Sequence, residues 1–291
     1  MTAGELLLQP FADYGFMRRA LVATFALAIG SAPIGTLLVL RRMSLVGDAM
    51  AHALLPGVAL GFLSAGFSLA AMSFGGFVAA LGVALAAGFV TRATAEREDA
   101  SFAAFYLIAL AGGVLLVSAH GSSVDLMHVL FGSILAVDDA ALYLTATVAS
   151  VSLLTLAAVY RPLVLECLDP GFFRAVGGRG SLLHGLFLVL AVANLVAGFQ
   201  ALGTLMAVGL MMLPATAARF WAGDVARLAC VATAMAVVSG YVGLLLSFHA
   251  DWPSGPAIVL VAGALYLASV ALGPRGGLLW QAFPRSRHRT A

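Results

Sequence analysis

The chain is a succession of long apolar runs separated by short clusters of charged, Gly and Pro residues. Crossing about 30 Å of hydrocarbon at 1.5 Å per residue takes a helix of roughly 20 apolar residues. Runs of about that length lie near 20–40, 46–65, 70–91, 100–118, 140–160, 182–200, 204–218, 228–248 and 256–272. The seventh is short, and 122–137 is apolar but too brief to cross, so it reads as a re-entrant or interfacial piece. The expected fold is therefore all-α, a polytopic transmembrane helical bundle of about eight or nine spans. Residues 1–19 form an N-terminal segment, 20–272 the membrane domain and 273–291 a basic tail.

Composition agrees with this reading. Of 291 residues, 62% are hydrophobic and only 10% charged, with a mean hydropathy of +1.05, against about 25% charged in soluble chains. A soluble enzyme is excluded, as is a nucleic-acid-binding module. All fifteen basic residues are Arg. A G-x-x-x-x-G-K-[ST] phosphate loop needs its Lys to reach the β- and γ-phosphates, so any nucleotide that drives this protein binds to another chain. Cys167 and Cys230 are 63 residues apart with no C-x-x-C and read as small apolar residues. Arg18 and Arg19 precede an apolar run that continues to Leu40, longer than a signal peptide core, so it reads as a retained span.

Arginines concentrate on the cytoplasmic side. With the N-terminus outside, thirteen of the fifteen Arg fall on inner connections or the tail and only Arg18 and Arg19 outside. The expected orientation is N-terminus out and C-terminus in, and the tail is expected to touch anionic lipid.

Three stretches carry chemistry. The first runs from 40 to 57 and holds Asp48 and His52, which lie one above the other on a helix face. Both are ligand types for Zn²⁺, Mn²⁺ and Fe²⁺, and ionisable groups in membrane segments are functional candidates. A structural Asp–His hydrogen bond, or an Asp stabilised by the helix dipole, fits the same spacing. The second stretch, 168–180, holds Asp169, Pro170, Phe172, Phe173, Arg174, Ala175 and Gly177. An Asp N-cap, Pro at the first helical position and Gly past the end specify a two-turn helix. Its paired rings suit either a knob for a partner's groove or an aromatic anchor in the membrane interface. The third, 203–219, contains Gly203, Gly209 and Pro214, a packing and hinge element to which Pro56 in the first stretch is comparable. Its Met206, Met211 and Met212 read as packing rather than soft ligands. His120 with Asp125 and His128, and His249 with Asp251, fall on the outer side, where they could meet incoming metal. His184 starts the sixth span and His288 lies in the tail.

Together these stretches, with Trp-Pro-Ser-Gly-Pro at 252–256, resemble the integral-membrane permease of the ATP-binding-cassette importers for zinc, manganese and iron, over about 16–272. The resemblance implies an importer permease of the metal type with no permanently bound cofactor, in the cytoplasmic (inner) membrane of a bacterium. It implies a homodimer, a cytoplasmic ATPase dimer and an extracytoplasmic metal-binding protein as partners, with Zn²⁺ or Mn²⁺ as transported substrate. Asp48 and His52 match the family's metal-ligating Asp-x-x-x-His, and 168–178 its ATPase-coupling helix. Zinc is favoured over manganese because the Irving–Williams order gives it the greater raw affinity. An ATP-independent metal/proton exchanger, with Asp48 and His52 carrying protons, is the alternative, and a structural subunit without a transport path is a third.

Overall fold

The computed structural model describes residues 3–94, 98–119 and 137–282. Arg97, His120, Asp125, His128, all but the last residue of the 122–137 piece, and the tail from 283, with Arg285, Arg287, His288 and Arg289, lie outside the described residues. Every described element is helical. Among the described residues eight segments are long and apolar enough to cross a membrane, and the fifteen-residue Thr204–Ala218 is shorter.

The helices follow the expected runs with informative differences. A short helix, α1 (Ala3–Asp13), precedes α2 (Gly15–Leu40), which starts five residues before the expected span. The 46–65 span is two helices, α3 (Ser44–Ala53) and α4 (Leu55–Ala65), broken at Leu54. Pro56, at the first turn of α4, has no N–H for the carbonyl four residues back, which belongs to His52. α5 (Leu69–Ala93) and α6 (Glu98–Ala119) follow, then α7 (Asp139–Leu168). At 30 residues, α7 is about 45 Å long, about 15 Å more than the hydrocarbon core. It carries on past Arg161 and Pro162 because Leu163 and Glu166 pack inward at its end. The remaining helices are α8 (Pro170–Ala175), α9 (Gly180–Leu202), α10 (Thr204–Ala218), α11 (Val225–Ala250), α12 (Ser254–Leu272) and α13 (Leu278–Ala282).

Two apolar cores meet along α2. One joins its C-terminal half to α3, α5, α6, α7, α9 and α10, and the other joins its N-terminal half to α10, α11 and α12. In α2 and α9, 72% and 67% of the crossing residues are buried, against 17% in α5 and α6. The first pair is thus the axis of the bundle and the second pair its periphery. Helices in lipid associate through close packing of small residues, and the contacts show it. A Cβ on Gly35 of α2 would strike the backbone carbonyl of Met211 in α10, and Gly57 of α4 and Gly75 of α5 meet backbone to backbone.

Candidate metal face and coupling helix

The α2–α3 junction positions the candidate ligands. Arg42 N–H donates to Val39 O at 3.1 Å and Met43 N–H to Leu38 O at 2.9 Å, the paired bonds of a Schellman turn, which places Arg42 in the left-handed region at φ 61°. Glycine normally takes that place because a Cβ is strained there. Helix α3 starts directly after it. Its Val46, Met50 and Ala53 are buried, and Gly47 lies where a Cβ would sit 3.1 Å from Met211 Cε and 3.2 Å from Met212 Sδ. With that face seated on α10, Leu45, Asp48 and His52 share the other.

Asp48 Oδ1 is 3.7 Å from His52 Nε2, with 61% of the Asp48 side chain and 34% of the His52 side chain exposed. That separation exceeds a hydrogen bond, so the two groups stand as neighbouring open donors. Asp48 also lies beyond the first turn of α3, outside the reach of the helix N-terminal field. The His52 ring stacks on Tyr106 of α6 with centroids 6.1 Å apart. A small cavity of about 130 Å³ brings Asp48 together with Asp99 and Tyr106 of α6. Sequence reasoning missed Asp99. It sits at the start of a different run, 51 residues on, with no spacing to tie it to Asp48. Among the described residues no three His, Cys, Asp or Glu groups are close enough to hold an ion. The described residues of one chain therefore offer Asp48 and His52 as an open pair.

Helix α8 forms as its local chemistry specifies. Asp169 Oδ1 accepts from Phe172 N–H at 2.8 Å, Pro170 is the first helical residue, and Gly177 closes the end at φ 83°. The two rings part company. Phe172 is 53% exposed, and Leu168 and Val176 just outside the two ends of α8 are exposed as well, whereas Phe173 is buried, its ring 2.5 Å from where a Cβ on Gly178 would sit. Phe173 is therefore not available as a knob, contrary to the expectation that both rings face a partner. The turn at Gly177 and Gly178 folds back across the inner side of α8 and covers one ring. Arg174 is exposed and its Nε donates to Pro170 O at 3.1 Å. Ala175 is exposed too.

The remaining candidates are architectural. Gly113 of α6 packs on Pro56, with 2.9 Å from a built Cβ to Pro56 N. Gly203, at φ 92°, turns the chain between α9 and α10, Gly209 meets Val259 of α12, and Pro214 is buried inside α10. Met206 and Met211 are buried apolar packing. His249 Nε2 lies 3.1 Å from Leu6 O of α1. Where α2, α7 and α9 meet, Arg41 reaches Glu166, Cys167 and His184. The sequence offered no reason to group these four.

A family model described as ABC 3 transport family matches residues 13–273. The manganese transport system membrane protein MntC of Listeria innocua is 32% identical over 276 residues, covering 94% of this chain and 97% of its own. The chelated iron transport system membrane protein YfeD of Yersinia pestis is 32% identical over 266 residues, covering 91% and 88%. Among solved structures, PsaBC from Streptococcus pneumoniae in complex with Fab superposes with a TM-score of 0.84 at 28% identity, covering 97% of this chain and all of the other.

Proposed function

This chain belongs to the ABC 3 transport family and is the membrane permease of a metal importer, and from that premise we propose that its cargo is Mn²⁺, with Fe²⁺ next, held by Asp48 and His52 of two copies. The observation that carries this is the open face of α3, where Asp48 and His52 stand unbonded to each other beside a cavity shared with Asp99. A two-fold axis at that face would double the donors to two carboxylates and two imidazoles, a mixed oxygen and nitrogen set open to Mn²⁺ and Fe²⁺. The carboxylates would also offset the divalent charge, lowering the cost of holding it away from water. Zinc, favoured in the sequence reading, is supported only by the Irving–Williams order. MntC and YfeD are by name manganese and chelated-iron systems.

ATP hydrolysis belongs to a partner that docks on exposed Phe172 of α8 and on the exposed Leu168 and Val176 that flank the helix, and an extracytoplasmic binding protein delivers the ion. The Arg distribution supports the N-terminus outside and α8 in the cytoplasm of the bacterium, in its inner membrane. A site split between copies is dismantled when the copies shift, which releases the ion as transport requires. The test is Mn²⁺ uptake by Asp48→Asn and His52→Ala variants that still assemble with the ATPase. Both should lose uptake, and normal uptake per assembled complex refutes the site.

A further inference from the structure

We propose that Arg41 is the positioning residue through which movement of α8 reaches the metal-bearing helix α3, an inference that rests on the permease reading above. Arg41 closes the C-terminus of α2 and has only 8% of its side chain exposed. Its guanidinium is ion-paired with Glu166 of α7 and donates from Nε to Cys167 Sγ at 3.0 Å. Another donor reaches His184 Nδ1 of α9 at 2.6 Å, and the group stacks 4.7 Å over the Phe187 ring. Guanidinium only donates, so His184 Nδ1 accepts and a neutral ring carries its proton on Nε2. One planar fork thus fixes three helix ends in direction as well as distance.

On one side this cluster touches α8. A Cβ built on Gly180 would lie 3.6 Å from Glu166 Cγ and 3.9 Å from Phe173 Cδ1. The inward ring of α8 and the carboxylate that holds Arg41 therefore converge on the same point at the start of α9. Glu166 is also only three residues ahead of Asp169, the N-cap of α8. On the other side Arg41 is joined to α3 by two residues. Both are pinned, Arg42 by its bond to Val39 O and Met43 by its bond to Leu38 O, while Val46 N–H bonds back to Met43 O at 3.1 Å. A turn so constrained passes displacement on rather than absorbing it, and Asp48 is one helical turn beyond.

The cluster also has room to move. A cavity of about 510 Å³ lies against it, lined by Arg41, Glu166, His184, Pro170 and Arg174. A buried Arg separated from its carboxylate is strongly disfavoured, so the pair travels as a unit when α8 shifts into or out of that space. An apolar contact would hold the three helices together equally well. What the fork adds is a fixed orientation of the α2–α3 turn relative to α8.

The test uses the full complex of permease, ATPase and binding protein in proteoliposomes, with Mn²⁺ as the probe. The variants are Arg41→Gln, Arg41→Lys and Glu166→Gln. Four readouts are taken: assembly, nucleotide-free Mn²⁺ binding, ATP hydrolysis, and Mn²⁺ moved per ATP. Arg41→Gln and Glu166→Gln should assemble at reduced yield, since each leaves a buried charge without its partner, and per assembled complex should bind Mn²⁺ and hydrolyse ATP, while Mn²⁺ moved per ATP falls about tenfold, within the usual range for linked sites. Arg41→Lys, which keeps the charge without the fork, should fall between them and the wild type. An unchanged ratio in both neutral variants overturns the proposal. So does failure of all three to assemble, since the cluster then only holds the fold. If the wild-type complex itself shows no Mn²⁺-dependent hydrolysis, it is the proposed Mn²⁺ cargo that fails.

Discussion

Replacing Phe172 and Phe173 in turn by alanine should have opposite consequences, although the residues are neighbours of the same type. A phenylalanine contributes about 200 Å² of surface, and at 53% exposure Phe172 leaves roughly half of that available to a partner. At about 25 cal/mol per Å² its burial in an ATPase groove is worth about 2.5 kcal/mol, or roughly sixtyfold in assembly affinity. Phe172→Ala should therefore weaken binding of the ATPase by that order and leave the permease unaltered. Phe173 is buried, and removing a buried ring costs about 3–5 kcal/mol, more than a six-residue helix can supply alone. Phe173→Ala should release α8 from the body of the protein before any partner is added. Hydrogen exchange over 169–178 in the isolated permease, paired with ATPase titration, separates the two. Protection should be lost in Phe173→Ala only. Equal loss of protection in both variants, or full ATPase affinity in Phe172→Ala, refutes the division of labour between the rings.

Arg42→Gly should stabilise the α2–α3 turn by about 1 kcal/mol, because a non-glycine residue at φ 61° is strained by that order; a lower melting temperature of the solubilised protein would contradict this. Gly35→Ala should destabilise the bundle by about 1–3 kcal/mol, since the added methyl meets the Met211 carbonyl, and an unchanged melting temperature would show that α2 and α10 are not in backbone contact. Acidification should weaken Mn²⁺ binding to the complex, because imidazole must be neutral and carboxylates ionised to ligate. Affinity independent of pH would remove His52 and the carboxylates from the site.

Much was legible along the chain because its signals are local. Apolar length alone marks a crossing segment, and Asp169, Pro170 and Gly177 act on their own backbone within two turns, so α8 is where its sequence puts it. The break at Leu54 was equally local, since Pro56 removes a donor whatever surrounds it, and only the expectation of one continuous span concealed it. Asp48 and His52 were visible as a pair because four residues on a helix is one turn. What the tertiary structure alone decided is which face of each helix is inside. Every span is apolar all round, lipid being as good a neighbour as protein, so hydropathy cannot distinguish buried α2 from peripheral α5; small residues in backbone contact decide that. The same holds for Phe172 and Phe173, identical in chemistry and separated only by a turn that covers one of them. Asp99 joins Asp48, and Arg41 joins Glu166 and His184, across 51, 125 and 143 residues. No periodicity links such positions, because a charge in a membrane protein is tolerated only by its spatial partner, and that partner is chosen by how the helices pack.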